Sequence, residues 1–200
     1  MQPAAIPQLP PKYVKTASID LSKNPRLLLW LNLIGLVLFF LFGWFFLRLA
    51  AILRPDSHNL SGSLNLWLVI GILVATILTF LLHELVHGLF FWIFTRSRPK
   101  FGFKGAYAFA AAPGWYLRQA PFLIVGLAPL VLISLAGLLL IPIIPNSLEI
   151  PLLFLLTVNA SGAVGDLAVV IWLLRFPRQI FIMDHGDAIT VFSSIKEKSQ

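Results

Sequence analysis

Four apolar runs, each about 20 residues or longer, constrain this chain more than any other feature. They extend from about Leu27 to Leu53, Leu66 to Phe94, Ala120 to Ile144 and Pro151 to Leu174. A helix of that length crosses the hydrocarbon core of a bilayer. No water is present there, so every backbone N–H and C=O must be paired within the segment or with other protein groups. The runs therefore predict an all-α integral membrane protein of about four transmembrane helices. Composition agrees: 58% of residues are hydrophobic and 12% charged, against about 45–50% apolar and about 25% charged in soluble domains.

The net charge of +7 does not point to nucleic acid, because the basic residues flank the apolar runs. Lys12, Lys15, Lys23 and Arg26 precede the first run, and Arg96, Arg98, Lys100, Lys104 and Arg118 follow the second. The tail carries Arg175, Arg178, Lys196 and Lys198, whereas the first connection has only Arg54 and the third none. The positive-inside rule then predicts both termini and the long loop in the cytoplasm. This divides the chain into a cytoplasmic arm (1–26), a transmembrane domain (27–175) and a cytoplasmic tail (176–200). The opening residues, MQPAAIPQLPPKYVK, do not resemble a cleavable signal peptide. Short β-hairpin-like segments are expected in the loop and tail. KFGFKGAYAF places Phe101, Phe103, Tyr107 and Phe109 on one parity, as in a half-buried strand, and QIFIMDHGDAITVF reads as strand, turn, strand.

Two of the eight acidic residues, Glu84 and Asp166, fall deep inside predicted spans. A charge there costs roughly 2.5–3.5 kcal/mol even on the lenient insertion scale, and such groups usually face partners and mark function. Glu84 lies in TFLLHELVHGLFFWIF, between His83 and His87. Histidines four apart share one face of a helix and can reach one cation. The intervening glutamate, about 100° round the helix, is placed to act as general base. His-Glu-x-x-His is the zinc-peptidase arrangement. With no cysteine in the chain, thiolate ligands are excluded. A catalytic zinc normally takes three protein ligands and keeps one position open. Asp166 lies at about the same distance from the end of the fourth span as the histidines do from the end of the second. Antiparallel helices would bring all three to one depth, nearer the cytoplasm, as ligands of Zn2+. Gly162 and Gly165 in NASGAVGD are expected to permit close helix approach. Asn159, two turns before Asp166, is a candidate to bond a substrate backbone or an oxyanion, with helix packing the alternative.

HELVHG, the stretch KFGFKGAYAFAAAPGWYLRQAPFLIVGLAPLV and NASGAVGD together resemble a family of small multi-pass membrane proteins classed as zincin peptidases. They are more distantly similar to the site-2 protease intramembrane metalloproteases. The resemblance covers roughly residues 65–195. It implies His83 and His87 as zinc ligands, Glu84 as general base, Asp166 as third ligand and Asn159 as the family asparagine. Gly165-Asp166-Leu167 stands where site-2 proteases carry Leu-Asp-Gly.

The expected function is zinc-dependent hydrolysis of peptide bonds in a membrane protein or peptide substrate. The alternatives are a catalytically silent membrane scaffold or regulator with a structural metal site, and a metal or proton carrier. KFGFKGAYAF offers an edge for an extended substrate, or else a loop resting its aromatics on the membrane interface. Asp184, His185 and Asp187 read first as a tight turn. His58 reads as a loop residue, and Asn32, Thr76 and Thr79 as interhelical hydrogen-bonding residues.

Overall fold

The structure, a computed structural model, describes residues 3–20, 23–55, 65–103, 108–186 and 188–194. Five helices and seven strands alternate along it. The strands β1 (Ala5–Ile6) and β2 (Tyr13–Asp20) precede α1 (Pro25–Leu53) and α2 (Leu66–Thr95). Then come β3 (Lys100–Phe103), β4 (Ala108–Ala111), β5 (Tyr116–Arg118) and α3 (Gln119–Leu140). The chain continues through α4 (Asn146–Gly162), α5 (Val164–Leu173), β6 (Ile180–Asp184) and β7 (Ala188–Ser194). Four helical segments, with α4 and α5 taken together, are long and apolar enough to cross a membrane.

Local chemistry sets the helix ends. The amides of Leu27 and Leu68 donate to the Oδ1 atoms of Asn24 and Asn65, which cap α1 and α2. Pro55 follows the end of α1 closely, and Arg96, at φ 56°, turns the backbone left-handed after α2. Thr76 and Thr79 bond Ile72 O and Ala75 O of their own helix. Their hydroxyls are thus satisfied within α2, which replaces the expected interhelical role.

The all-α expectation holds for the spans and fails for the flanks. A five-stranded antiparallel sheet runs in the order β1-β5-β6-β7-β2. The tail hairpin is present, and the N-terminal arm supplies both edges, pairing Ala5 with Leu117 and Tyr13 with Ser194. KFGFKGAYAF is not one strand, because β3 and β4 fold onto each other as a two-stranded sheet, Phe101 opposite Ala110. Tyr107 lies outside the described residues, as do His58 and Asp187.

By internal contacts the chain divides into two units. The first comprises Met1–Leu29, Glu84–Ala128 and Asp166–Gln200. Its core joins Leu117, Ile180, Ile182 and Val191 of the sheet to Phe91 of α2, Phe122 and Val125 of α3, and Val169 and Leu173 of α5. Gln119, buried at the start of α3, donates from Nε2 to Leu173 O at 2.6 Å and so caps the end of α5. Gly88 lets the Phe101 ring lie against α2, since a Cβ there would meet that ring at 2.4 Å.

The second unit comprises Trp30–His83 and Pro129–Gly165. Phe46 and Ala50 of α1 pack with Leu153, Leu156 and Ala160 of α4, and Gly137 of α3 admits the Leu156 side chain. Elsewhere large apolar side chains point outward, Phe40 at 68% exposed and Ile77 at 60% among them. Surface of that kind needs an apolar partner. The predicted fourth span is broken at Ala163, between α4 and α5. A Cβ at Gly162 or Gly165 would meet nothing within 4 Å. These glycines therefore do not serve close helix approach as expected; they lower helix propensity at the joint.

Arg54, one residue past α1, lies 3.6 Å from buried Glu149 and donates to Ile144 O at 3.0 Å and to Asn146 Oδ1. Removing one member of a buried pair strands the other charge. Arg54→Met should lower unfolding stability by about 2–4 kcal/mol, read as a shift in thermal unfolding in detergent. An unchanged midpoint would show the pair to be idle.

Candidate metal centre

The centre begins on α2, whose unbroken helix carries His83, Glu84 and His87. His87 is buried, while His83 and Glu84 are half-buried. Each ring uses Nδ1 to meet an acceptor. His87 Nδ1 lies 2.9 Å from Val125 O. A carbonyl can only accept, so Nδ1 carries the hydrogen. His83 Nδ1 lies 3.1 Å from Asn159 Oδ1. The orientation of that amide follows from its other end, where Nδ2 donates to Pro129 O at 3.3 Å. The oxygen therefore faces His83, whose Nδ1 must donate. In a ring that carries its hydrogen on Nδ1 alone, Nε2 is the nitrogen that ligates zinc while the second nitrogen is held by an outer partner.

Asp166 stands in the first turn of α5, where unpaired backbone N–H groups favour an anionic side chain. Its Oδ1 lies 3.4 Å from His87 Nε2. One ligand atom from each of His83, His87 and Asp166 lies within 4.8 Å of the others, and this group could hold a metal ion. Two imidazoles and a carboxylate, with no thiolate, are the donor set of a catalytic zinc that keeps a fourth position open. The residues present fit that ion.

Sequence reasoning therefore selected side chains that the structure brings together. It did not foresee how Asn159 is used. That residue is 1% exposed, and both ends of its amide are engaged, by His83 and by Pro129.

Sequence reasoning also missed the place of Asp184. The turn after β6 forms as expected, with Gly186 N donating to Asp184 Oδ1 at 2.6 Å and Gly186 at φ 93°. However, Asp184 also interacts electrostatically with His87, Asp166 and Glu84. Burial raises its carboxyl from the ordinary carboxylate range to about 7, with Asp166 and Glu84 adding to the rise. The Gly186 N–H and His87 oppose it. The only signal in the sequence was an aspartate closing the apolar strand IFIM. His185 is exposed.

A folded pKa above the unfolded value means that folding binds the proton more tightly. The contribution of Asp184 to stability is then fully present below about pH 4 and declines as pH rises to about 7. In metal-free protein, Asp184→Asn, which keeps an Oδ1 for Gly186, should flatten the fall in melting temperature across that window. Parallel curves for the two proteins would contradict the assigned burial.

Searches against curated proteins and solved structures found no match. A family model described as "Putative zincin peptidase" matches residues 76–181, a stretch that contains His83, Glu84, His87, Asn159 and Asp166. That match spans more than half of the chain, and the chain belongs to this family of zinc-dependent peptidase type.

Proposed function

We propose that this protein is a zinc-dependent intramembrane endopeptidase that cleaves membrane-associated proteins or peptides near the cytoplasmic face. The observation that carries the reading is the convergence of His83, His87 and Asp166, whose ligand atoms lie within 4.8 Å of one another while each imidazole Nδ1 meets an acceptor. His83, His87 and Asp166 would hold the zinc, which supplies Lewis acidity toward water and a peptide carbonyl.

The chain's own groups do the rest. Glu84, next to His83 on α2, accepts the proton of the attacking water on a carboxylate oxygen and then delivers it to the leaving amide nitrogen. Asn159 holds the His83 ring through Oδ1 and acts as a positioning residue; Nδ2 donates one hydrogen to Pro129 O, and its second hydrogen suits a substrate backbone or an oxyanion. The Val125 carbonyl holds the His87 ring in the same way.

Topology supports the location. Lys and Arg flank the spans in an alternation that supports a cytoplasmic location for both termini and the 96–118 segment. His87 and His83 lie 8 and 12 residues before the Thr95 end of α2, about 12–18 Å along the helix. The exposed apolar side chains of α1 and α2 suit acyl chains. The β3–β4 hairpin rests on α2 at Gly88, the residue after His87, and β3 pairs only with β4 among the described residues. The open edge of β3 suits an extended substrate strand. A carrier is disfavoured because the described residues contain a single metal-ligating group and no series of sites.

The test uses full-length protein in liposomes with a library of transmembrane peptides, the products being read by mass spectrometry. Glu84→Gln should keep zinc while lowering cleavage roughly a hundred- to ten-thousand-fold. His83→Ala and Asp166→Ala should lose zinc as well. Cleavage undiminished in Glu84→Gln would refute the enzyme reading. Zinc bound without any cleavage by the parent protein would favour a silent scaffold.

A further inference from the structure

Pro129 sits inside α3 and its side chain is fully buried. An interior proline costs a helix roughly 3 kcal/mol, because the residue has no N–H and its ring crowds the carbonyl four residues earlier. That carbonyl belongs to Val125. In a regular α-helix it would accept the N–H of residue 129, and with proline at 129 that donor does not exist. In an apolar setting a carbonyl so orphaned must find another partner. The partner is the Nδ1–H of His87, at 2.9 Å.

We propose that Pro129 is a positioning residue for the metal centre: by withholding its N–H it reserves the Val125 carbonyl for His87 and so holds a hydrogen on Nδ1, leaving Nε2 to face Asp166. The energetic logic closes locally. A helix without the proline would fill the Val125 carbonyl from its own ladder, and the imidazole would compete with a backbone amide for it. With proline, the cost to α3 is offset by a hydrogen bond that only His87 supplies. The same residue touches the other imidazole too. Its carbonyl accepts Asn159 Nδ2 at 3.3 Å, and Asn159 Oδ1 meets His83 Nδ1. The missing donor thus serves His87, and the carbonyl serves His83 through the amide.

The proposal deepens the zinc-site reading and rests on it only for the metal arm of its test. Nitrogen-15-labelled histidine in metal-free, full-length protein in micelles reports which ring nitrogen carries hydrogen. The parent should show His87 protonated at Nδ1. Pro129→Ala restores the N–H and should shift a substantial part of His87 to the Nε2–H form. It should also weaken zinc binding, measured with zinc alone by competition with a chelator, about 10- to 100-fold.

A second variant separates the donor from the ring. Lactic acid introduced at 129 by nonsense suppression makes an ester, which has neither N–H nor pyrrolidine. It should restore the parent tautomer and the parent zinc affinity. An unchanged tautomer in Pro129→Ala would overturn the proposal. So would an ester variant that shows the altered His87 tautomer, since the ring and not the missing donor would then be responsible. If Pro129→Ala fails to fold, the ester against the parent still decides. A parent that binds no zinc but shows the Nδ1–H tautomer would sink the zinc reading and leave this inference standing.

Discussion

A neutral imidazole among apolar helices must place one N–H on an acceptor, and that requirement organises the centre of this protein. Main-chain carbonyls of an intact helix already accept one bond from the helix ladder, so acceptors with their full capacity are scarce. The two histidines solve the problem differently. His87 takes a carbonyl released by a proline, while His83 takes a side-chain oxygen whose own amide nitrogen is anchored to a carbonyl. In both cases the hydrogen bond does more than satisfy a buried group. It holds a hydrogen on Nδ1, and in His87 the other ring nitrogen faces Asp166.

The His87 bond to Val125 and its approach to Asp166 require α2, α3 and α5 to keep register, and the first unit shows what enforces it. Phe91 stands one turn after His87, Val125 itself supplies the acceptor, and Val169 follows Asp166 by three residues. All three are buried in the core shared with Leu117, Ile180, Ile182 and Val191 of the sheet. Burial of a side chain of this size is worth about 1.5–3 kcal/mol, so sliding any one helix by a turn would forfeit several such terms at once. Gln119 adds a polar tie by capping the end of α5 from the start of α3. The sheet therefore acts on the centre without contributing a ligand to it.

What the sequence disclosed follows from how local each signal is. The spans were legible because length and hydropathy are summed over about twenty neighbouring residues, and the His-Glu-x-x-His spacing because i and i+4 share a helix face. Asp166 was legible only because a carboxylate is costly at its depth. The sheet was not legible in the arm: YVKTASID mixes polar and apolar residues without an apolar face, and its partner β7 lies at the opposite end of the chain. The break at Ala163 was hidden within a run long and apolar enough to read as one continuous span. Asn159 was visible as a polar residue in a span, but its partners were not. Pro129 read as one more apolar residue, because the group that matters there is one it lacks.

Charge supplies the last constraint. Glu84, Asp166 and Asp184 all act on the surroundings of His87, whose Nδ1 is held by Val125 O. Three carboxyls drawn toward one partly buried volume repel each other, and the raised pKa of Asp184 is the measure of that crowding together with burial. Two responses relieve it: one carboxyl holds a proton, or a cation enters. The second is worth more where the ligand atoms already converge, and those of His83, His87 and Asp166 lie within 4.8 Å of one another. The hydrogen bonds at the two Nδ1 atoms and the surplus of carboxyls thus favour the same occupant. A proton near Asp184 and a divalent ion near Asp166 are then competing solutions to one electrostatic problem.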